Sequence, residues 1–141
     1  MAITRSLLRA SIFNDVYDCI NTKVTDPLDR DKQWIFSNFP DTKTNFVGYP
    51  LIVIRKAIID KDYKLLDNGW SDVKVSINIT IYSTNNSYVD TLSDSIDAVM
   101  TDTNLPKFNF LDYSETPGDV PIDGSNIHFR TMTYFIEVTK L

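Results

Sequence analysis

The side chains most able to do chemistry are scarce, because the chain has one histidine, His128, and one cysteine, Cys19. A Ser-His-acid hydrolase would need His128 as its base, but the sequence has no Gly-x-Ser-x-Gly turn and this histidine falls within a strand pattern. Cys19 falls beside a helical apolar stripe, where a small buried side chain is expected rather than a nucleophile. The sequence therefore predicts no catalytic residue and no enzymatic activity.

Metal and cofactor sites are the next possibility. Asp90, Asp94 and Asp97 follow one side of a predicted helix, where we expect a solvated face rather than a divalent-metal site. None of the four glycines begins a phosphate-binding loop. Two other carboxylate pairs lack the spacing of a calcium loop, and we interpret them as turn residues: Asp60 with Asp62, and Asp119 with Asp123. We expect no metal and no cofactor.

Charge and hydropathy limit the possible partners. The chain has 14 Lys and Arg against 19 Asp and Glu, a net charge of −5, which disfavours nonspecific binding to nucleic acid. The nearest basic pair, Arg55 and Lys56, lies in a predicted strand, so its side chains should point to opposite faces. The longest apolar stretch, 51–59, is shorter than the roughly 20 residues of a membrane helix, and the first residues lack a secretion-signal pattern. We expect no membrane partner.

Two segments have the apolar periodicity of amphipathic helices, and we place them over 4–23 and 88–100. Their apolar residues are Leu8, Ile12, Val16 and Ile20 in the first, and Val89, Leu92, Ile96, Val99 and Met100 in the second. The segment 25–49 contains repeated chain breakers and predicts an irregular loop. Within it, a short strand or core anchor is predicted, with a partner surface as the alternative, at Trp34, Ile35, Phe36 and Phe39.

The remaining apolar segments predict strands. Strict alternation over 73–83 indicates a long strand with one apolar and one polar face. The β-branched segment 51–59 indicates a strand buried on much of both faces. A short strand over 107–113 should lead into an extended, turn-rich loop over 114–126. Imperfect alternation over 127–139 predicts a final strand with a bulge or with burial on both sides.

The order of these elements predicts the fold class. With 141 residues, of which 43% are hydrophobic and 23% charged, residues 1–141 have the size and composition of a single globular domain. A run of strands split by one helix indicates an α+β fold. Long strands joined by a short hairpin are antiparallel, so we expect an antiparallel or mixed β-sheet with both helices packed on one face. The opposite face should stay polar.

The connection over 60–70 has an unusual composition for a link between strands. Polar turn residues would suffice there, yet the segment contains four large apolar side chains: Tyr63, Leu65, Leu66 and Trp70. We predict that this hairpin protrudes and makes an axial or intersubunit contact through these residues. The alternative is that it folds back and covers its own sheet.

This pattern of elements resembles the tail-terminator, or tail-completion, proteins of long-tailed bacteriophages and related viruses. The resemblance covers nearly the whole chain and rests on the order and lengths of elements rather than on a short motif. Those elements are the helix over 4–23, the strand PLIVIRKAII, the strand DVKVSINITIYS, the helix YVDTLSDSIDAVM and the strand HFRTMTYFIEVT. Relative to shorter members of that family, the loops 25–49 and 114–126 are long.

The resemblance implies a virion structural protein of the tail and neck, assembled in the host cytoplasm. It implies a homo-oligomeric, usually hexameric, ring at the head-proximal end of the tail tube. Such a ring stops tube polymerisation, binds the tail tube protein and the head-tail connector protein, and lets DNA pass through its channel without binding it. The alternatives are another neck component, such as a head-completion or connector adaptor protein, or a small enzyme or ligand-binding domain.

Overall fold

The computed structural model describes residues 5–42, 46–65, 69–101 and 109–138. The elements in chain order are α1 (Arg5–Lys23), β1 (Ile35–Phe36), β2 (Leu51–Ile54), β3 (Ile58–Leu65), β4 (Gly69–Ser83), α2 (Asn86–Met100), β5 (Asn109–Ile122) and β6 (Ser125–Val138). The six strands form one mixed sheet in the order β1-β2-β4-β6-β5, and β3 also pairs with β4. The predicted α+β fold with an antiparallel or mixed sheet is confirmed.

Strand β4 runs through the middle of the sheet and determines where the core lies. Its residues Ile77, Ile79 and Ile81 are fully buried, as the alternating pattern predicts. Both helices cover this face, because their apolar residues belong to the same core cluster as those of β4. Complete burial of each such side chain stabilises the fold by about 1.5–3 kcal/mol. The core residues of the helices include Ile12, Val16 and Ile20 of α1 and Val89, Leu92 and Ile96 of α2.

The predicted strand over 51–59 is interrupted. β2 ends at Ile54 and β3 begins at Ile58, and both pair with the edge of β4 opposite β6. At the break, Arg55 and Lys56 are both exposed, and the backbone N–H of Arg55 donates to the carbonyl oxygen of Asn78 at 2.9 Å. Two consecutive charged side chains are solvated more easily where the chain leaves the regular ladder. All four residues of β2 are fully buried, which confirms burial on both faces there.

The prediction of a turn-rich loop over 114–126 is wrong, because β5 continues through Ile122 and pairs with β6 along its length. Prolines are tolerated in a strand at the edge of a sheet, where no neighbour needs their missing N–H, and β5 is such an edge strand. Pro117 and Pro121 are four residues apart, so both can occupy positions whose N–H would face away from β6. Asp123 and Gly124 form the turn, with φ of 50° and 81°. Positive φ at both positions is typical of a two-residue type I′ hairpin turn.

The segment between α1 and β2 is partly ordered by a short strand, as predicted. β1 pairs in parallel with β2, and Trp34 and Ile35 are buried in the core. The Tyr17 hydroxyl donates to the carbonyl oxygen of Ile35 at 2.8 Å, which links the segment to α1. The sequence prediction of a short strand and a core anchor is therefore confirmed.

Arg30 is the polar centre of the same segment. Its guanidinium donates to both carboxylate oxygens of Asp26 and lies 5.7 Å from the centre of the Trp34 ring. Burial disfavours ionisation of Asp26, but hydrogen bonds from Arg30 and from backbone N–H groups outweigh it and lower the pKa of this carboxyl. The guanidinium also donates to three carbonyl oxygens at 3.3, 3.2 and 2.5 Å, those of Val47, Gly48 and Pro50.

The face of the sheet opposite the helices is not uniformly polar, which corrects the sequence prediction. Rings of Phe39 and Tyr82 lie 4.9 Å apart, and those of Tyr82 and Phe129 lie 6.0 Å apart. An aromatic row therefore covers one end of this face, where the loop after β1 folds onto it. Further along the same face, polar side chains pair across β4 and β6: Thr80 with Thr131 at 3.0 Å, and Asn78 with Thr133 at 2.6 Å.

Candidate interaction surface

The hairpin formed by β3 and β4, here the first hairpin, extends beyond the rest of the described sheet at one end. β4 pairs with β6 only from Val73 onwards, opposite Val138, the last described residue of β6. The pairing of β4 with β3 continues past this point to Leu65 opposite Gly69. Contact of this hairpin with another subunit stays a prediction.

Three of the four predicted contact residues fall on strands of this first hairpin. Tyr63 and Leu65 lie in β3 and Trp70 lies in β4, whereas Leu66 lies outside the described residues. The backbone register places Tyr63 opposite Ser71, and it shifts twice between Ile59 and Tyr63. The side chains of the four residues lie outside the described part of the structure.

The hairpin formed by β5 and β6, here the second hairpin, extends from the opposite end of the sheet. The last pair between β4 and β6 joins Ser83 to His128, whereas β5 and β6 stay paired to Ile122 opposite Ser125. Ser83 is the last residue of β4, whereas the first hairpin lies at the other end of β4, at Gly69. The two hairpins therefore lie at opposite ends of the sheet. Sequence reasoning missed this hairpin, although Asp123-Gly124 was an available signal for a tight turn.

The second hairpin contains the single histidine. His128 lies in β6 directly opposite Asp119 of β5, and its Nδ1 lies 2.5 Å from the carboxylate Oδ1. This confirms the interpretation of a strand histidine. Asp119 is a strand residue rather than a turn residue, as are Asp60 and Asp62 in β3, which corrects the sequence interpretation. Cys19 is half-buried against the core, as predicted.

The acidic row of α2 contacts the sheet through two of its three carboxylates. Arg130 of β6 donates to Asp90 at 2.7 Å and to the Ser93 hydroxyl at 2.6 Å. The Tyr134 hydroxyl donates to Asp97 at 3.0 Å. The row is exposed, as predicted, but these contacts also fasten α2 to β6. Within the described ranges, no group of three or more His, Cys, Asp or Glu side chains is arranged to hold a metal ion.

Two tyrosines beneath α2 act as hydrogen-bond donors. Their rings, Tyr113 and Tyr134, lie 5.1 Å apart. Burial, together with the carboxylate of Asp97, strongly raises the pKa of Tyr134. Burial also raises the pKa of Tyr113, whose hydroxyl donates to Glu115 at 2.6 Å. Both hydroxyls therefore stay protonated at neutral pH and hold carboxylates in place, which is a structural role.

A cleft of about 530 Å³ lies between α1 and the break that separates β2 from β3. Phe13 and Ala57 contribute apolar surface to it, and Arg9 and Lys56 contribute two cations. The volume falls in the range of about 300–1,000 Å³ that is usual for small-molecule sites. The sequence did not indicate this pairing, because Arg9 and Lys56 are brought together only by the packing of α1 on the sheet.

Comparison with known protein families and with curated proteins finds no match for this chain. In the portion that the structure describes, neither helix has the length and apolar character required to cross a bilayer.

Proposed function

We propose that the chain is a virion structural subunit of the tail-terminator type. Copies of it form a homo-oligomeric, hexameric ring that caps the head-proximal end of the tail tube, stops its polymerisation and joins it to the head-tail connector. The observation that supports this best is the position of the two hairpins at opposite ends of one sheet. A subunit at a junction must contact a different structure on each side, and this arrangement provides two separated contact surfaces.

The chemistry of the described residues supports an assembly role. Several polar contacts link elements of the same fold: Arg130 to α2, Tyr134 to α2, and Arg30 to the segment before β2. The net charge of −5 supports a channel through which DNA passes without being held, because tight binding requires cations that displace counterions from phosphates. We expect duplex DNA to bind more weakly than micromolar at physiological salt.

The test uses the purified chain and a tail tube protein from the same genome. Tubes that polymerise in the presence of the chain should stop growing and show a ring at one end in negative-stain micrographs, while the chain alone should form rings in native mass spectrometry. Tubes that grow without limit, beside a chain that stays monomeric at all concentrations, contradict the proposal. Submicromolar affinity for duplex DNA contradicts the channel.

Two alternatives have observations in their favour. Another neck component, such as a head-completion or connector adaptor protein, would use the same two hairpins, and it would bind connector rings but leave tube growth unchanged. A ligand-binding domain is favoured by the cleft beside Arg9 and Lys56, which suits a small anion with an apolar body. Saturable binding of such an anion by a monomeric chain would support that second alternative.

A further inference from the structure

We propose that the subunits of the assembly contact each other through the two opposite edges of the sheet, an acidic edge of one copy against a basic edge of the next. This inference rests on the proposed ring and names the surfaces that would form it. The acidic edge is the outer side of β5, and the basic edge is the region around the break between β2 and β3. The partner is therefore a second copy of this chain.

The acidic edge is an exposed strand without a neighbour in the described part of the chain. β5 is the last strand in the order β1-β2-β4-β6-β5 and pairs with β6. Three of its residues, Asp112, Glu115 and Asp119, are exposed carboxylates, and its sequence contains no lysine or arginine. The two prolines of β5 cannot donate backbone hydrogen bonds, so a neighbour cannot extend the ladder along this whole edge. We therefore assign the contact to side-chain charges.

The basic edge lies across the sheet from β5. Arg55 and Lys56 are exposed at the break between β2 and β3, and Arg9 of α1 lines the same cleft as Lys56. None of these three cations forms an ion pair with a carboxylate of the described residues, whereas Arg30 and Arg130 both do. Because β2 and β3 pair with the edge of β4 opposite β6, this cluster and β5 occupy opposite edges of the sheet.

The distribution of charge favours contact between unlike edges. Two acidic edges or two basic edges would repel each other, whereas one of each attract. When the acidic edge of one subunit binds the basic edge of the next, the first and last subunits of the row each keep one unbound edge. Further copies can therefore join until the ring closes. Opposite placement of the two edges allows each subunit to bind a neighbour on both sides at once. Such a contact weakens as salt screens it, since the Debye length is about 10 Å at 0.1 M ionic strength.

Charge reversal of each edge tests this contact. The first variant is Asp112→Lys with Glu115→Lys, and the second is Arg55→Glu with Lys56→Glu. Each variant alone should stay monomeric at concentrations at least about tenfold above those at which the unaltered chain assembles. An equimolar mixture of the two variants should assemble again, because each like-charged subunit then has an oppositely charged neighbour. Native mass spectrometry should show both chains in equal number.

A control matched to the first variant carries the same change of charge elsewhere. Asp18→Lys with Asp31→Lys alters two exposed carboxylates that belong to neither of the two edges and should leave assembly unchanged. Because Glu115 also accepts a hydrogen bond from Tyr113, a neutral version, Asp112→Asn with Glu115→Gln, preserves that contact. It should assemble more weakly than the unaltered chain and with a smaller dependence on salt. Circular dichroism checks that each variant is folded.

The outcomes separate this inference from the proposed function. Rings that form normally from either reversed variant overturn the edge contact and leave the ring itself intact. A control as defective as the edge variants, or a mixture that fails to assemble, also overturns it. A chain that stays monomeric at every concentration and does not cap tubes overturns both the edge contact and the proposed function.

Discussion

The two hairpins of the molecule differ in how their strands pair. In the second hairpin the register is unbroken from Asp112 to Ile122, and a two-residue turn closes it. In the first hairpin the register shifts twice between Ile59 and Tyr63. The regular hairpin is defined by backbone constraints, namely the turn and the prolines of an edge strand. The irregular hairpin contains the apolar residues predicted to make a contact. We therefore expect apolar contacts with other subunits to depend on side chains of the first hairpin, and stability to depend more strongly on the backbone of the second.

The largest expected effect is on assembly, from the double change Leu65→Ser and Leu66→Ser. Apolar anchors at an interface can cost about 2 kcal/mol or more when they are removed, so the variant should stay folded but fail to assemble or to join the tube. Sizing and tube-joining assays measure this. Val120→Ser with Ile122→Ser is the matched control, since it removes two half-buried apolar residues at the tip of the second hairpin. It should keep the capacity to form rings.

Normal assembly by the Leu65 and Leu66 variant would refute the contact. An unfolded variant would instead support the fold-back arrangement, in which these residues cover their own sheet. The comparison with the control decides whether the two hairpins have different tasks.

The largest expected effect on stability comes from Gly118→Val in the second hairpin. A Cβ atom at Gly118 would lie 2.5 Å from Cζ of the Phe129 ring, so the ring would have to move. Overpacking of this kind costs about 1–3 kcal/mol. Urea denaturation should show this loss, and Phe129→Ala should reduce it in a double-mutant cycle, because the obstructing ring is then absent. Equal costs in both backgrounds would show that the ring is not the cause.

Alkaline pH should destabilise the packing beneath α2. Burial and Asp97 raise the pKa of Tyr134, so the folded chain keeps a proton that the unfolded chain loses above about pH 10. The unfolded state then binds fewer protons, and the free energy of unfolding should fall by up to about 1.4 kcal/mol per pH unit. Denaturation between pH 9 and about 11.5 measures this slope. Tyr134→Phe should reduce this slope, the remainder coming from Tyr113, and an unchanged slope would assign the effect to other groups.

A smaller loss is expected from Gly124→Ala in the turn of the second hairpin. Gly124 has φ of 81° and no atom within 4 Å of an added Cβ, so the cost is conformational rather than steric crowding by neighbours. Left-handed geometry costs a residue with a Cβ about 1–2 kcal/mol. Thermal unfolding should show this decrease, and Gly124→Asn should be less affected because asparagine tolerates positive φ. Equal losses from both substitutions would point to another cause.

The smallest effect is expected at His128. The pair with Asp119 is partly solvent-exposed, with side-chain exposures of 25% and 59%, and exposed ion pairs contribute at most about 1 kcal/mol. His128→Gln should change the midpoint of denaturation little and leave assembly intact, and Cys19→Ala should likewise leave assembly intact. A catalytic turnover that disappears in the folded His128→Gln variant would contradict a purely structural role.

The helices and the long strands could be predicted because their apolar residues repeat with the period of the element that buries them. For example, Ile77, Ile79 and Ile81 alternate with polar residues in the sequence, and all three are fully buried on one face of the sheet. The wrong prediction, a loop over 114–126, arose because the sequence does not show which strand lies at the edge of the sheet. Pro117 and Pro121 predict a loop if a strand is assumed to have a neighbour on both sides. Only the strand order shows that β5 lies at the edge of the sheet, where a proline is tolerated.

The candidate surfaces were less predictable for a related reason. The apolar residues of 60–70 pointed to the first hairpin, and the register shows that β3 and β4 pair from Ile58 opposite Ser76 to Leu65 opposite Gly69. The cleft beside Arg9 and Lys56 was missed because it depends on how α1 packs on the sheet. The aromatic row on the second face was missed because Phe39 reaches Tyr82 only after the loop folds back across β2 and β4. Such contacts between distant segments have no local pattern in the sequence.

The long connection between α1 and β2 is held together at both ends by one side chain, that of Arg30. One guanidinium holds Asp26 at the start of this connection and carbonyl oxygens of Val47, Gly48 and Pro50 at its end. Lysine cannot replace it, because a single ammonium group lacks the planar fork that reaches several acceptors at once. We therefore expect loss of Arg30 to release both ends of the connection together. A graft of this segment onto another sheet would have to carry Asp26 and Arg30 together with the residues that they hold.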